Sequence, residues 1–359
     1  MYSSGDNVSD NYTWLDRALH HIAFATLDFQ CEIAGVEAAL LPKVHTREAL
    51  KAPVFVTALP RAGTTLLLSC LSMVPDLGSH TYRDMPFLLC PTTWAAWSAP
   101  FQRANKRLPR THEDGIEISY DTAEAFDEVI WRMAWPEKYA SGRIALWNTP
   151  DRKPAFEAFF CDHMRKIVAL RAPRGRYLSK NNANIARINF IRAAFPDCSI
   201  VVPFREPIAQ AVSLLHQHRR FLKMHESDRF LKQYMNWLGH FEFGALHKPI
   251  AFPGMDEFTG LDHLAVDYWL AYWVSAYEYL LEHARTAGLI FFNYDTCCEK
   301  PTESLSALTD AVGIKEEYIT TMAILWRRPN DRVAPPVDPY LKQRAVAAYG
   351  RLCLQASNR

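Results

Sequence analysis

The sequence predicts an α/β protein whose central parallel sheet is flanked by helices on both faces. Short, fully apolar runs alternate with longer segments of helical spacing, as expected for parallel strands that are buried on both sides. The first apolar run leads through a glycine-containing turn into a helix, which is typical of anion-binding loops. The chain has 359 residues, of which 49% are hydrophobic, so it can bury a large core. We predict a single domain, residues 1–359.

The predicted elements follow one another along the chain. Helical spacing of apolar residues predicts an N-terminal helical cap over residues 1–50. Four candidate strands then follow, at residues 53–59, 176–180, 198–204 and 288–294. A helix is expected after each strand, at residues 63–74, at about 183–195, after Pro207 and after Pro301. Residues from about 216 to 285 are rich in histidine and aromatics and predict a helical insertion, and a last helix begins at about Tyr340.

Composition and charge exclude several classes of protein. The net charge of +1 provides no global basic field for nucleic acid or for an anionic membrane. No apolar stretch is long enough for a transmembrane segment, and the polar, acidic N-terminus predicts neither a signal peptide nor a transit peptide. The eight cysteines form no C-x-x-C pair and no zinc signature, which favours reduced thiols in the cytoplasm and no metal site.

The turn after the first predicted strand reads PRAGTT over residues 60–65. A nucleotide-triphosphatase loop reads G-x-x-x-x-G-K-[ST]. Here Gly63 stands at its second glycine, Thr64 replaces the lysine and Thr65 takes the hydroxyl position. The N–H groups that open the following helix can still bind an anion, and Arg61 supplies a positive charge within the loop. The missing lysine disfavours phosphoryl transfer from ATP.

Two motifs together resemble those of sulfotransferases that use 3′-phosphoadenosine 5′-phosphosulfate (PAPS). PRAGTT resembles the 5′-phosphosulfate loop of that family, commonly written P-[KR]-[SAT]-G-T-T. The segment IVVPFREPIAQAVSLL contains a strand that ends at Arg205, with Ser213 two helical turns later, and these match the residues that hold the 3′-phosphate. An arginine at the carboxyl end of a strand lies where α/β sheets bind ligands, and its guanidinium matches a phosphate.

The resemblance implies a P-loop-like sulfotransferase fold with helical insertions. It also implies transfer of a sulfuryl group from PAPS, the co-substrate, to the hydroxyl of an acceptor, with no metal required. The loop residues expected to bind the phosphosulfate are Arg61, Ala62, Gly63, Thr64 and Thr65. Lys180 stands roughly where related enzymes carry a lysine that contacts the sulfuryl group, and Tyr294 is a candidate nucleotide contact. Arg61 and Lys180 would stabilise the negative charge on the leaving phosphate.

Two residues compete for the role of general base. Asp84, in TYRDMP, follows the loop helix at about the separation where carbohydrate and tyrosyl-protein sulfotransferases place a catalytic glutamate. The adjacent Arg83 would lower the pKa of such a carboxyl group and weaken it as a base. His112, in THEDG, lies nearer the region where cytosolic sulfotransferases place a catalytic histidine. We place Asp84 before His112, with His80 and Glu124 as further candidates.

The sequence leaves open more than one acceptor and more than one class of function. Tryptophans cluster between the loop and the second predicted strand, at Trp94, Trp97, Trp131, Trp135 and Trp147. Aromatic faces stack on sugars, which favours a carbohydrate or glycolipid acceptor over another small molecule, although tryptophan is more often a core residue. A P-loop-type nucleotide kinase and a non-catalytic nucleotide-binding protein remain alternative functions. The missing lysine is the main objection to the kinase.

Overall fold

The computed structural model describes residues 12–40, 52–100, 108–109, 117–118, 120–328 and 334–357. Its strands are β1 (Val54–Val56), β2 (Leu77–Gly78), β3 (Leu108–Pro109), β4 (Glu117–Ile118), β5 (Arg176–Lys180), β6 (Ser199–Phe204) and β7 (Leu289–Asn293). Its helices are α1 (Trp14–Ala25), α2 (Leu27–Leu40), α3 (Thr64–Leu71), α4 (Pro91–Ser98), α5 (Glu128–Ala134), α6 (Pro154–Arg171), α7 (Ile188–Ala194), α8 (Pro207–Ser227), α9 (Arg229–Leu238), α10 (Val266–His283), α11 (Tyr294–Glu299), α12 (Pro301–Val312), α13 (Ile319–Ala323) and α14 (Pro339–Ser357).

Five strands form one sheet in the order β2-β5-β1-β6-β7, and every neighbouring pair is parallel. The predicted α/β class with a central parallel sheet is therefore confirmed. The strands predicted at 176–180, 198–204 and 288–294 correspond to β5, β6 and β7. The strand predicted at 53–59 corresponds to the shorter β1. β2 was missed because two residues are too short to show a periodicity.

Both faces of the sheet are buried, since a strand directs alternate side chains to opposite faces. In β1, Val54 and Val56 belong to one hydrophobic cluster with Leu67 of α3 and with side chains of α12. Phe55 points to the other face and belongs to a larger cluster that contains Phe160 of α6 and side chains of α7, α8, α10 and α14. This burial on both sides explains why β1, β6 and β7 are mostly apolar.

The segment predicted as a helical insertion contains the end of α8 together with α9 and α10. Most of α10 is buried, and it packs against α8 and α14. Its Trp273 and Tyr277 belong to the same hydrophobic cluster as Phe55 of β1. The helices α1 and α2 lie within the region predicted as an N-terminal cap, and α2 packs against α4 and α6. The assignment of the whole chain to one domain stays a prediction.

Most of the tryptophans that favoured a sugar-binding surface lie in the core instead. Trp131, Trp135 and Trp147 are fully buried, and their ring centroids lie 5.6 to 6.5 Å from one another. Trp94 is also buried, whereas Trp97 on α4 is 59% exposed. The three buried rings pack against protein and offer no face to a sugar. The tryptophan cluster therefore gives no support to a carbohydrate acceptor.

One edge of the sheet gathers the predicted site residues. Because all five strands are parallel, their carboxyl ends meet at the same edge, where α/β proteins bind ligands. The PRAGTT loop, residues 60–65, follows β1, and Lys180 is the last residue of β5. Arg205 follows β6, and Tyr294 follows β7.

Candidate functional site

The PRAGTT loop joins β1 to α3 through two residues with left-handed backbone conformations. These are Arg61, with φ of 69°, and Gly63, with φ of 88°. A Cβ atom at Gly63 would lie 2.5 Å from Cδ2 of the Tyr294 ring, so this position needs glycine for space as well as for conformation. Gly63 is the N-cap of α3, and the first N–H groups of a helix have no partner within that helix. The loop therefore has the backbone of an anion-binding turn.

Helix α8 fixes the other side of the loop. Arg61 Nε donates a hydrogen bond to Ser213 Oγ at 3.0 Å, although the two residues are 152 positions apart. One turn earlier in α8, Gln210 Nε2 donates to the carbonyl oxygen of Pro60 at 2.9 Å. Trp273 Nε1 donates to Gln210 Oε1 at 2.9 Å and so orients that amide. The two motifs that were recognised separately in the sequence are thus in direct contact.

The Tyr294 ring lies between Arg205 and the loop. The guanidinium carbon of Arg205 lies 5.3 Å from the centroid of the Tyr294 ring, and the same ring contacts Gly63. Arg205 Nε is buried and makes no hydrogen bond within the part of the chain that the structure describes. The nearest carboxylate oxygen is Oδ1 of Asp295, at 3.8 Å. Burial raises the pKa of Tyr294, so its phenol stays neutral at physiological pH.

The neighbouring acid Glu206 serves as a helix cap. Its carboxylate accepts hydrogen bonds from the N–H groups of Ile208 and Ala209 at the start of α8. The backbone N–H of Glu206 donates to Asp295 Oδ2 at 2.7 Å, which ties the start of α8 to α11. These bonds fix the backbone next to Arg205 at the carboxyl end of β6.

A cavity of about 620 Å³ opens beside the loop. Leu59 and Pro60 form its wall on the loop side, and Lys180, which is only 7% exposed, lines it from the end of β5. Asn182 follows in the same wall, and its Oδ1 accepts a hydrogen bond from Thr64 Oγ1 at 3.3 Å. The cavity therefore adjoins both the loop and the predicted sulfuryl-contacting lysine.

Asp84 lies outside this cavity, in a buried hydrogen-bond network. Its side chain is 1% exposed, and Arg171 Nη2 donates to its Oδ1 at 2.6 Å. Oδ2 accepts from the N–H of Thr81 at 3.0 Å and lies 2.9 Å from Nδ1 of His80. The arginine beside Asp84 is thus Arg171 rather than its sequence neighbour Arg83. A carboxylate enclosed in this way has little access to an acceptor molecule.

The other candidates for the general base lie either away from the cavity or outside the described residues. His80 is buried, and its Nε2 lies 2.7 Å from Nε2 of His163. Burial, then the nearby His80 and Lys166, lower the pKa of His163 well below its usual value. Glu124 is buried and accepts a hydrogen bond from Tyr82 at 2.9 Å. His112 lies outside the described residues.

The sequence analysis missed the residues that line the far side of the cavity. His240 and Glu242 follow the end of α9, inside the segment predicted only as a helical insertion. They lie between Gly239 and Gly244, which both have left-handed backbone conformations. The sequence GHFEFG, with two polar side chains between glycines, was the available signal. Nothing local in it indicates that this turn faces a loop almost 180 residues earlier.

Two histidines, His247 in the cavity wall and His218 beside it, are held neutral. Burial, followed by the neighbouring His218, lowers the pKa of His247 to about 3. Burial and then His263 lower the pKa of His218 to about 4. The rings of His218 and His247 lie 5.3 Å apart and pack against Trp269 of α10.

The family follows from the sequence comparison. The sequence model of the sulfotransferase family matches residues 53–248, more than half of the chain, so the protein belongs to this family. The resemblance inferred from the two motifs is thereby confirmed. No curated protein matches the chain. Within the described residues there is no helix that could span a membrane, and no group of three or more potential metal ligands.

Three solved structures give distant matches. The sulfotransferase STF9 of Mycobacterium avium is 14% identical, with a TM-score of 0.47 over 90% of this chain and 79% of that one. The sulfotransferase STF1 of Mycobacterium tuberculosis H37Rv is 13% identical, with a TM-score of 0.46 over 91% and 82% of the two chains. A sulfotransferase of Alicyclobacillus acidocaldarius is 12% identical, with a TM-score of 0.39 over 86% and 95%.

Replacing the loop glycine should destabilise the protein. In Gly63→Ala, the new Cβ must displace the Tyr294 ring and adopt a left-handed conformation, so we expect the free energy of unfolding to fall by at least about 1 kcal/mol. The matched control is Gly35→Ala in α2, where an added Cβ meets nothing within 4 Å. That substitution should raise stability by up to about 1 kcal/mol. Denaturant unfolding measures both values, and equal effects would contradict the assigned contact.

The neutral histidines should make the protein less stable in acid. An unfolded histidine binds a proton below pH about 6.5, whereas His247 and His218 resist protonation until pH 3 to 4. Stability is therefore complete above pH about 6.5 and falls as the pH drops towards 4. We expect the melting temperature to be lower at pH 5 than at pH 7.5. His247→Phe should reduce this difference, and the exposed His21→Phe should not. An equal pH difference in both variants would argue against the buried site.

Proposed function

We propose that the protein transfers a sulfuryl group from PAPS to an acceptor hydroxyl, carried by a carbohydrate, a glycolipid or another small molecule. Membership of the sulfotransferase family supports sulfuryl transfer. The observation that best supports PAPS as the donor is the continuous set of contacts from Ser213 through Arg61 and Gly63 to Tyr294 and Arg205. These contacts bring two positively charged anion sites, drawn from separate strand ends, into one region.

PAPS carries a phosphosulfate on its 5′-oxygen and a phosphate on its 3′-oxygen. The loop N–H groups of residues 62–65 and Arg61 would bind the phosphosulfate. Arg205 would bind the 3′-phosphate, and its buried, unpaired Nε fits that role because a phosphate oxygen would satisfy it. Ser213 Oγ already accepts from Arg61, so its own hydrogen can donate to the same phosphate. The ring of Tyr294 would contact the nucleotide between the two ends.

Positively charged side chains would contribute most of the catalytic effect. The phosphate that leaves the sulfuryl group gains negative charge in the transition state, as in phosphoryl transfer. Arg61 from the loop and Lys180 from the end of β5 would stabilise this charge. All eight cysteines are free thiols, which supports our proposal that the enzyme works in the reducing cytoplasm.

Nucleotide binding tests this proposal against the kinase alternative. The product nucleotide 3′-phosphoadenosine 5′-phosphate, at 100 times its Kd, should raise the free energy of unfolding by about 2.7 kcal/mol. ATP with Mg²⁺ at the same concentration should give a smaller shift. Incubation with radiolabelled PAPS and a deproteinised cell extract then reports transfer and labels the acceptor. A larger shift with ATP would favour a kinase, and a nucleotide shift without label transfer would favour a non-catalytic binding protein.

Two arginine variants should separate binding from transfer. Arg205→Ala should weaken binding of 3′-phosphoadenosine 5′-phosphate by about 10- to 100-fold, because a charged hydrogen bond is lost. Binding of adenosine 5′-phosphate, which has no 3′-phosphate, should change much less. Arg61→Ala should lower turnover by about 10²- to 10³-fold in a folded protein.

The exposed Arg229→Ala serves as the control and should behave like the wild type. Equal losses for the two nucleotides in Arg205→Ala, measured by calorimetry, would refute the 3′-phosphate assignment. Near-normal turnover of Arg61→Ala would refute its role in transfer.

A further inference from the structure

We propose that the cavity beside the loop is the acceptor site, that it takes a hydroxyl carried on an apolar ring body, and that Glu242 removes the hydroxyl proton. This inference rests on the proposed sulfuryl transfer, and it replaces Asp84 and His112 as candidates for the general base. It is argued from the position of Glu242, from the bonding of its neighbours and from the character of the cavity walls.

Two hydrogen bonds connect Glu242 to the loop. Asn182 Nδ2 donates to Glu242 Oε1 at 3.0 Å, and Asn182 Oδ1 accepts from Thr64 Oγ1 at 3.3 Å. One amide thus bridges the carboxylate and the first residue of α3. Thr64 lies in the part of the loop proposed to bind the phosphosulfate, so Glu242 stands on the acceptor side of that group. Lys180, two residues before Asn182, lines the same wall.

The turn that carries Glu242 is held from several directions. The N–H of Lys248 donates to the carbonyl oxygen of Phe241 at 2.9 Å, and the N–H of Gly244 donates to His218 Nδ1 at 3.2 Å. Lys248 Nζ donates to the carbonyl oxygen of Tyr139 at 2.6 Å, so its charge is directed away from the carboxylate. A fixed backbone of this kind suits a catalytic group, because small misplacements cost large factors in rate.

The other acidic and histidine side chains of the cavity each make at least one polar contact. Glu128 of α5 forms a buried ion pair with Arg187 and also accepts from Asn181 at 2.8 Å. His247 Nε2 lies 2.8 Å from the hydroxyl of Tyr268. His240 Nε2 lies 3.4 Å from the carbonyl oxygen of Ala125.

Among the cavity's acidic side chains within the described residues, Glu242 is the one that has a carboxylate oxygen without a hydrogen bond. That oxygen, Oε2, is available to a hydroxyl, whereas Oε1 is oriented by Asn182. A general base needs this combination of a fixed carboxylate and an accessible lone pair.

Other walls of the cavity are aromatic, and the polar atoms of Trp269 and Tyr272 each have a hydrogen-bond partner. Trp269 Nε1 donates to the carbonyl oxygen of His263 at 2.9 Å, and the hydroxyl of Tyr272 accepts from the N–H of Ile250 at 3.0 Å. Phe241 completes this apolar part of the lining. At the loop end the lining includes the polar side chains of Lys180, Asn182 and Glu242.

A sugar would bring several hydroxyl groups against these apolar walls, where each unpaired group costs free energy. A phenol or a similar apolar alcohol matches this lining. Its ring would lie against the aromatic side chains, and its oxygen would lie near the loop.

These groups account for each bond and for the proton in the transfer step. The acceptor oxygen forms a bond to sulfur while the bond between sulfur and the bridging phosphate oxygen breaks, and its electron pair leaves with 3′-phosphoadenosine 5′-phosphate. Glu242 Oε2 takes the proton of the acceptor hydroxyl and later releases it to solvent. Lys180 and Arg61 stabilise the charge that develops on the leaving phosphate.

The test compares Glu242→Gln with the wild type on two phenols, using radiolabelled PAPS. With 4-methylphenol, which is protonated at neutral pH, we expect kcat to fall by about 10²- to 10⁴-fold. With 4-nitrophenol, of which a large fraction is already ionised near neutral pH and needs no base, the loss should be much smaller. The acidic limb of the wild-type pH–rate profile should also disappear in the variant. Glu242→Asp should keep that limb, with reduced kcat.

The controls separate this inference from the proposed function. The thermal shift with 3′-phosphoadenosine 5′-phosphate should be unchanged in Glu242→Gln, which shows that the variant folds and binds nucleotide. The exposed Glu226→Gln on α8 should keep wild-type turnover. Asp84→Asn and His112→Ala are measured alongside as the competing candidates for the general base.

Each remaining outcome has a distinct meaning. Near-normal turnover of Glu242→Gln with 4-methylphenol would overturn its role, and a selective loss in Asp84→Asn or His112→Ala would transfer that role. Labelling of sugars in extract without labelling of either phenol would overturn the apolar-acceptor assignment. Failure of the wild type to bind the nucleotide or transfer label would overturn the proposed function, and this inference with it.

Discussion

The close contact between Gly63 and the Tyr294 ring is the constraint on which the site depends. It exists only because residue 63 has no Cβ and adopts a left-handed conformation. The same ring lies against the guanidinium of Arg205, so the position of the loop and the position of Arg205 are set by one aromatic side chain. Arg61 is fixed on the opposite side by Ser213 of α8. The parallel sheet makes these contacts possible, because it brings the ends of three strands to one edge.

Buried charge supports the cavity wall next to β5. Arg187 is fully buried and forms an ion pair with Glu128, and its guanidinium carbon lies 4.3 and 4.9 Å from the ring centroids of Trp131 and Trp147. Glu128 in turn accepts a hydrogen bond from Asn181. The tryptophan cluster thus encloses an ion pair that orients the residue between Lys180 and Asn182. Removing one member of such a pair typically costs about 3–5 kcal/mol, because the other charge stays buried without a partner.

Sequence spacing and tertiary packing favour different candidates for the general base. Asp84 follows the loop helix at the expected separation, but a short 3-10 turn directs its carboxylate into the interior. There it accepts hydrogen bonds from Arg171 and from the N–H of Thr81, and it forms a capping box with Thr81, the N-cap residue of that turn. Glu242 has no comparable motif, yet packing brings it within two hydrogen bonds of Thr64. Accessibility and contact decide a catalytic role, and neither property can be read from spacing along the chain.

The sequence by itself determined the features that depend on neighbouring residues. The apolar runs predicted β1, β6 and β7, and the PRAGTT loop was recognised from the glycine and the following helix. The strand end at Arg205 was recognised in the same way, because backbone conformation and side-chain alternation are local properties. Only the tertiary structure decided which residues face the cavity, since the contact of Asn182 with Glu242 spans 60 positions and that of Arg61 with Ser213 spans 152. It also decided that Trp131 and its neighbours are core residues, because burial depends on what packs against a side chain and not on its own chemistry.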